Sequence, residues 1–199
     1  MSNSSAVLLF VSDVHCQFHL INQRIEEAET RFGKPVAAVV VLGDFGFFAH
    51  TLKEFFVTRG ARFLRSVYCI EGNHEEFDLL PQLVEEYREH VTFWPRGTVQ
   101  SVAGVRFLCL GGAAYMDAMT TPMGAEIRDA DIDRCLEFSA DAVDIIVSHD
   151  CPKGVGVPNS PGFEHYGPPG FARGDELARR FRPRFWVFGH HHKCQNDYS

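Results

Sequence analysis

With 199 residues, 45% of them hydrophobic and 13% aromatic, the chain suits one well-buried domain spanning 1–199. Its formal net charge of -7 would repel a polyanion, which excludes a general nucleic-acid coat and disfavours nucleic acid as a partner. Met1–Ala6 carry no basic segment and the apolar run Val7–Val11 ends before Asp13, so neither a secretion signal nor a membrane span is indicated and the cytoplasm is expected.

Val7–Val11 reads as a strand. Leu20, Ile21, Ile25, Ala28 and Phe32 recur at helical spacing and predict a helix over 20–32, which Gly33 and Pro35 stop. Val36–Leu42 is almost unbroken apolar sequence, the pattern of a strand covered on both faces, and Ser66–Ile70 is a third strand. Asn73 is suited to cap a helix, with Glu75 and Glu76 in its first turn, so a helix is expected to run through Pro81 to Tyr87. Thr98–Val102 and Val105–Leu110, divided by Ala103-Gly104, predict a hairpin. A helix near Asp129–Phe138, a strand at Val143–Val147, a helix near Gly174–Phe181 and a strand at Phe185–Phe188 complete the series. Strands and helices alternating around a central hairpin give an α/β layered sandwich.

Side-chain usage adds three expectations. Of the 18 phenylalanines, Phe45, Phe47, Phe48, Phe55 and Phe56 crowd together and are expected to pack a core or loop. Cys16, Cys69, Cys109, Cys135, Cys151 and Cys194 show no paired spacing and read as free thiols. Arg173, Arg179, Arg180, Arg182 and Arg184 read as a solvated helix face rather than a phosphate track.

Five short polar clusters carry the chemistry: Asp13-x-His15, Gly43-Asp44, Gly72-Asn73-His74-Glu75, Ser148-His149 and Gly189-His190-His191-His192. Taken singly, each has a structural explanation in a turn, a helix cap or a satisfied histidine. Together they all terminate apolar strands, which places them at one sheet edge. A mix of carboxylate, amide and imidazole suits divalent ions such as Mn, Fe or Zn better than calcium. Asp44 has two oxygens and can bridge two cations. On an extended segment, His190 and His192 would face one site while His191 points elsewhere.

In this order the clusters resemble the calcineurin-like metallophosphoesterase superfamily, over nearly the whole chain from Asp13 to His192. Gly43–Phe47, Gly72–Glu75, Gly111-Gly112-Ala113 and Ser148–Pro152 are also similar to a subset of small bacterial and phage members without a cap domain. The resemblance implies a four-layer α/β/β/α sandwich of two mixed sheets with metals at the strand ends. It implies that Asp13, His15, Asp44 and His192 hold one divalent ion, and that Asp44, Asn73, His149 and His190 hold the other. Mn is expected, with Fe, Zn or Ni as alternatives. A hydroxide shared between the ions would attack phosphorus in line, while His74 stabilises the transition state or protonates the leaving oxygen.

In phosphoprotein phosphatases the residue three after the bridging Asp is polar and orients the motif histidine. Here it is Phe47, which leaves Asp78 or Asp150 to take that part. The Asp-Arg-Gly continuation of those phosphatases is also absent. The expected activity is that of a phosphodiesterase on a small or nucleotide-like ester. Its rivals are a phosphomonoesterase acting on proteins or small molecules, a nuclease, and a non-catalytic scaffold of the same fold. The Pro- and Gly-rich stretch from Asp150 to Gly170 is a functional-loop candidate, with Asn159, His165 and Tyr166 as substrate contacts.

Overall fold

The computed structural model describes residues 6–192. Two four-stranded sheets follow one another in the chain. The first orders β1 (Val7–Val11), β2 (Val36–Leu42), β3 (Val67–Ile70) and β4 (Thr92–Phe93), all parallel. The second orders β5 (Thr98–Val102), β6 (Val105–Leu110), β7 (Ile145–Ser148) and β8 (Phe185–Val187), and is mixed because β5 runs antiparallel to β6. The helices are α1 (His19–Phe32), α2 (Ala49–Leu52) with a π-helical extension Lys53–Thr58, α3 (Leu80–Glu86), α4 (Asp129–Leu136) and α5 (Gly174–Phe181).

The layers follow from the two-residue period of the strands. In β2, Val39 and Val41 pack with Ile21 and Ile25 of α1, Leu52 of α2 and Leu83 of α3. Their neighbours Val40 and Leu42 join Ile70 of β3 and Phe107, Cys109 and Val147 of the second sheet. In β6 the alternate residues Leu108 and Leu110 turn outward to Ile132 and Cys135 of α4 and Leu177 and Phe181 of α5. Helices, sheet, sheet and helices therefore stack in four layers, and the unbroken apolar runs are the strands buried on both faces. Each such side chain contributes roughly 1.5–3 kcal/mol on burial.

Local chemistry sets the ends of these elements. Gly33, at φ 62°, closes α1 by donating its N–H to the Glu29 carbonyl at 2.9 Å. Ala103 and Gly104 take φ 51° and 78°, the left-handed pair that a two-residue hairpin needs, with Val102 facing Val105. Phe45 and Phe47 are fully buried, their rings 5.1 Å apart, and Phe18 packs on Phe45 at 4.7 Å. The phenylalanines thus pack the core beneath the loop that carries Asp44. Arg173 pairs with Asp129, Asp133 and Glu176, and Arg179 with Asp175, as a solvated helix face does. Cys16, Cys69, Cys109, Cys135 and Cys151 are free thiols, and Cys194 lies outside the described residues. No helix among the described residues is long and apolar enough to cross a membrane.

One expected element is displaced. No helix starts at Asn73; residues 73–79 form turns and α3 begins at Leu80, with Pro81 in its first turn. The expected caps serve other segments. Glu75 turns inward to the loop after β2, while the Glu76 carboxylate accepts the Ala49 N–H at the start of α2, at 3.1 Å. Proline suits a first helical turn because it has no N–H to leave unpaired there. The short β4 and the π-helical extension were not anticipated.

Candidate metal centre

The parallel strands β1, β2, β3, β7 and β8 all release their chains at one end of the sandwich, and the five polar clusters meet there. Pairing continues past the strands before the chains diverge. Asp13 N–H donates to the Gly43 carbonyl at 3.2 Å, His15 N–H to Asp44 at 2.8 Å, and Gly189 N–H to His149 at 2.9 Å. Then the backbone turns sharply, with Asp13, His15, Asp44, His190 and His192 all at φ between 44° and 68°. Side chains rarely accept that conformation, and such strain concentrates at functional sites. His190 and His192 are thus aimed by left-handed turns rather than by an extended segment, and His191 points instead to Asp150.

Glycines let the loops close up. A Cβ on Gly72 would lie 2.0 Å from Asp44 Oδ1, one on Gly43 2.4 Å from His149 Nδ1, and one on Gly189 1.7 Å from Ser12 Oγ. Each of these glycines immediately precedes Asn73, Asp44 or His190. Absence of a side chain there is what brings the donors of the two sheets together.

The donor atoms converge in a way that calls for a cation. His149 is fully buried, and its Nδ1 faces the Leu42 carbonyl at 2.7 Å; a carbonyl only accepts, so Nδ1 carries the proton. In the neutral ring, Nε2 then presents a bare lone pair to Asn73 Oδ1 at 3.0 Å and Asp44 Oδ1 at 3.5 Å. On the other side, His15 Nε2 and His192 Nε2 approach to 3.3 Å, with Asp13 Oδ1 at 3.3 Å from His192 and Asp44 Oδ2 at 3.7 Å from His15. Asp13 Oδ1 is buried and has no hydrogen-bond partner. Lone pairs facing one another without a shared proton repel, and a divalent ion among them relieves this; the mixed N/O set fits such an ion.

Asp13, His15 and His192 form one group able to hold a metal, and Asp13, Asp44 and His149 form another. His190 is grouped with Asp150 and His191, although its ring packs on that of His149 at 4.9 Å. Burial above all pushes the His190 imidazole down to about 4, so its nitrogens are free of a second proton at neutral pH. For Asp13, burial works upward, but His149, Ser12 and the His190 N–H together bring the carboxyl below its ordinary range.

Two carboxylates at this end were not foreseen as builders. Glu75 accepts the N–H groups of Phe45, Gly46 and Phe47 at 3.0, 3.0 and 2.6 Å, and so holds the loop carrying Asp44. Burial pushes its acid up to about 8 against the pull of those amides. Asp150 accepts from Ala114 N at 2.9 Å and Cys151 N at 2.7 Å, and meets His191 Nε2 at 2.9 Å. The signal was present for Glu75, three residues after Gly72, but it was read as part of a helical first turn.

His74 stands apart from the convergence. It is exposed, its ring 5.6 Å from that of His15, and no hydrogen bond joins it to Asp78 or Asp150. Asp150 is committed instead to His191 and two amides. His74 and Asn73 open onto a cavity of about 660 Å³ lined by Tyr115, Asn159, Phe163 and Tyr166. Asn159 and Tyr166 line this cavity; His165 is not in the lining and instead packs on Tyr166 at 4.0 Å. A second cavity, of about 1210 Å³, opens on Asp13, and the two share Lys153, His191 and His192.

No curated protein matches the chain. One crystal structure is similar over 96% of this chain and 86% of its own, at 13% identity and a TM-score of 0.67, a likeness of fold. A solved structure described as a novel archaeal phosphodiesterase overlaps 78% of this chain and 78% of its own, at 15% identity and a TM-score of 0.43. The sequence pattern of the calcineurin-like phosphoesterases, hydrolases of phosphoester bonds, matches residues 6–194 and so takes in every one of the five clusters; the chain belongs to that family.

Proposed function

We propose that the chain is a metal-dependent phosphodiesterase for small or nucleotide-like esters. Asp13, His15, Asp44 and His192 would hold one divalent ion, and Asp44, Asn73, His149 and His190 the other, with Mn the expected metal and Fe, Zn or Ni alternatives. In support of a shared Asp44, its two oxygens face different histidines, Oδ1 toward His149 and Oδ2 toward His15. Two amides, of Asn73 and His74, donate to Oδ1 at 2.9 and 2.8 Å and keep that carboxylate from turning. When bound, the ions would supply an activated water and neutralise phosphoryl oxygens.

The observation that carries a diester over a monoester is the pair of cavities. A phosphorus with two organic substituents needs room on two sides; Asp13 borders one cavity, Asn73 and His190 the other, and His192 both. A cavity of about 660 Å³ is also within the size range of organic ligands rather than of a phosphate alone. His74, exposed and in the lining of this cavity, would protonate a leaving oxygen.

Turnover of bis-p-nitrophenyl phosphate and p-nitrophenyl phosphate by the Mn-reconstituted protein separates the readings. Preference for the diester is expected. Preference for the monoester would make this a phosphomonoesterase, and no turnover of either with any of the four metals would return it to a scaffold.

A further inference from the structure

Asn73 poses a positioning problem that its own loop does not solve. An amide has nearly the same shape after a 180° flip, which exchanges an acceptor for a donor. Only one orientation turns Oδ1 toward His149 Nε2, 3.0 Å away. The Asn73 amide nitrogen donates to the Thr120 carbonyl at 2.6 Å, and because a carbonyl cannot donate, the flipped amide would set two oxygens against each other. Thr120 lies in a different loop, between β6 and α4, 47 residues away.

In that loop Thr121 donates its hydroxyl to the Ala114 carbonyl at 3.0 Å, and one carboxylate gathers the groups around Thr120. Asp117 Oδ1 accepts the Met119 N–H at 2.9 Å, the Thr120 N–H at 2.9 Å and the Thr120 hydroxyl at 3.1 Å. Its Oδ2 accepts the Tyr166 hydroxyl at 2.6 Å, from the loop that follows β7. Apolar burial contributes little here, since Met119 and Met123 are 91% and 85% exposed. Hydrogen bonds therefore fix where the Thr120 carbonyl points. We propose that Asp117 is a positioning residue for Asn73, acting through Thr120 and braced by Tyr166, so that two residues of the 660 Å³ cavity's lining and the orientation of a metal-holding amide depend on one carboxylate.

This rests on Asn73 holding a metal, and the test separates the two claims. Calorimetric titration with Mn²⁺ is made on the wild type, Asn73→Ala, Asp117→Ala, Asp117→Asn, Tyr166→Phe and the double variant Asn73→Ala/Asp117→Ala. Asp117→Ala is expected to bind Mn²⁺ roughly 10–100-fold more weakly, the usual effect of losing a group that orients a ligand. Asp117→Asn keeps an oxygen for the Met119 and Thr120 amides and is expected to recover most of the affinity. Tyr166→Phe loses only the brace and is expected to weaken binding roughly threefold. The double variant should bind no more weakly than Asn73→Ala alone, because both substitutions remove the same contribution.

Wild-type affinity in Asp117→Ala, or losses that add in the double variant, would overturn the role of Asp117. A metal-free melting temperature that falls while Mn²⁺ affinity holds would reduce it to loop stability. Unchanged affinity in Asn73→Ala would instead remove Asn73 from the metal set, and the positioning role with it. Should Asp117→Ala fail to fold, Asp117→Asn and Tyr166→Phe decide by the same measurement.

Discussion

The loops of the first sheet and those of the second do different work at the same site. Those after β1, β2 and β3 are short, keep pairing beyond the strands, and present Asp13, Asp44 and Asn73 from backbone held by buried amide bonds. Those after β6 and β7 are long and Pro- and Gly-rich, and they line the cavities with Tyr115, Phe163 and Tyr166. The turns that present Asp44 and Asn73 are strained or glycine-packed, with no room for a Cβ at Gly43 or Gly72. The half that would meet the rest of the substrate is built from side-chain hydrogen bonds and half-exposed rings. The short turns at the strand ends thus differ from the long loops after β6 and β7 that line the cavities, and substitutions in each should fail differently.

The largest effect is expected for Asp44→Asn, which removes the charge between the two histidine groups. kcat/KM for bis-p-nitrophenyl phosphate should fall by about 10³ or more, since several kcal/mol of charge stabilisation depend on it. More than a tenth of wild-type activity would break the part given to the short turns. Gly72→Ala should be nearly as damaging, because its Cβ would meet Asp44 N at 2.2 Å and main chain cannot give way. Gly60→Ala, at φ 61° but with nothing within 4 Å, should cost only about 1 kcal/mol in urea denaturation. Equal damage in the two alanine variants would refute the close-packing account.

His74→Ala should retain its metal by atomic absorption yet lose about 10²-fold on an alkyl diester, and far less on a p-nitrophenyl ester that needs no proton. Equal losses on both would remove its part as an acid. On the second-sheet side, Phe163→Ala should leave kcat intact and raise KM about tenfold for a nucleotide ester, the scale of one stacking contact. A fall in kcat instead would erase the division between the two halves.

The smallest effect lies away from the site. Hydrogen bonds from Arg106 above all hold Asp144 down to about 2, below its ordinary 3.8. The pair's contribution is present above the higher value and is lost as pH falls through the lower one. Between pH 4 and 2 the urea midpoint of the wild type should therefore fall slightly more steeply than that of Asp144→Asn.

Much of this was legible in the sequence where burial is two-sided and local. Val7–Val11, Val36–Leu42, the hairpin about Ala103-Gly104 and Gly174–Phe181 were read with their observed bounds, because apolar period and turn chemistry agree within each segment. The positions of the seven residues proposed to hold metal were readable as ends of apolar runs. The orientation of the donors was not, since it depends on left-handed turns and on glycines meeting a residue from the other sheet. Asn73, Glu75 and Glu76 look like a helix start because their types suit one, yet each is bonded to a segment at least 27 residues distant. Long-range partners of this kind leave no local pattern, and Asp117 and Thr120 are invisible for the same reason.

The division of these residues between the sheets would make a metal bound among them a fastening as well as a reactive group. Asp13, Asp44 and Asn73 come from one sheet and His149, His190 and His192 from the other, across an interface joined by apolar packing and by hydrogen bonds such as those of His149 to Leu42 and His190 to Asp13. An ion gripped by both binds only when the sheets are docked. It adds RT ln(1 + [L]/Kd) to the free energy of unfolding, about 2.7 kcal/mol at a hundredfold excess over Kd. The melting temperature would then rise with metal concentration, so that heat resistance becomes a gauge of how fully the centre is loaded.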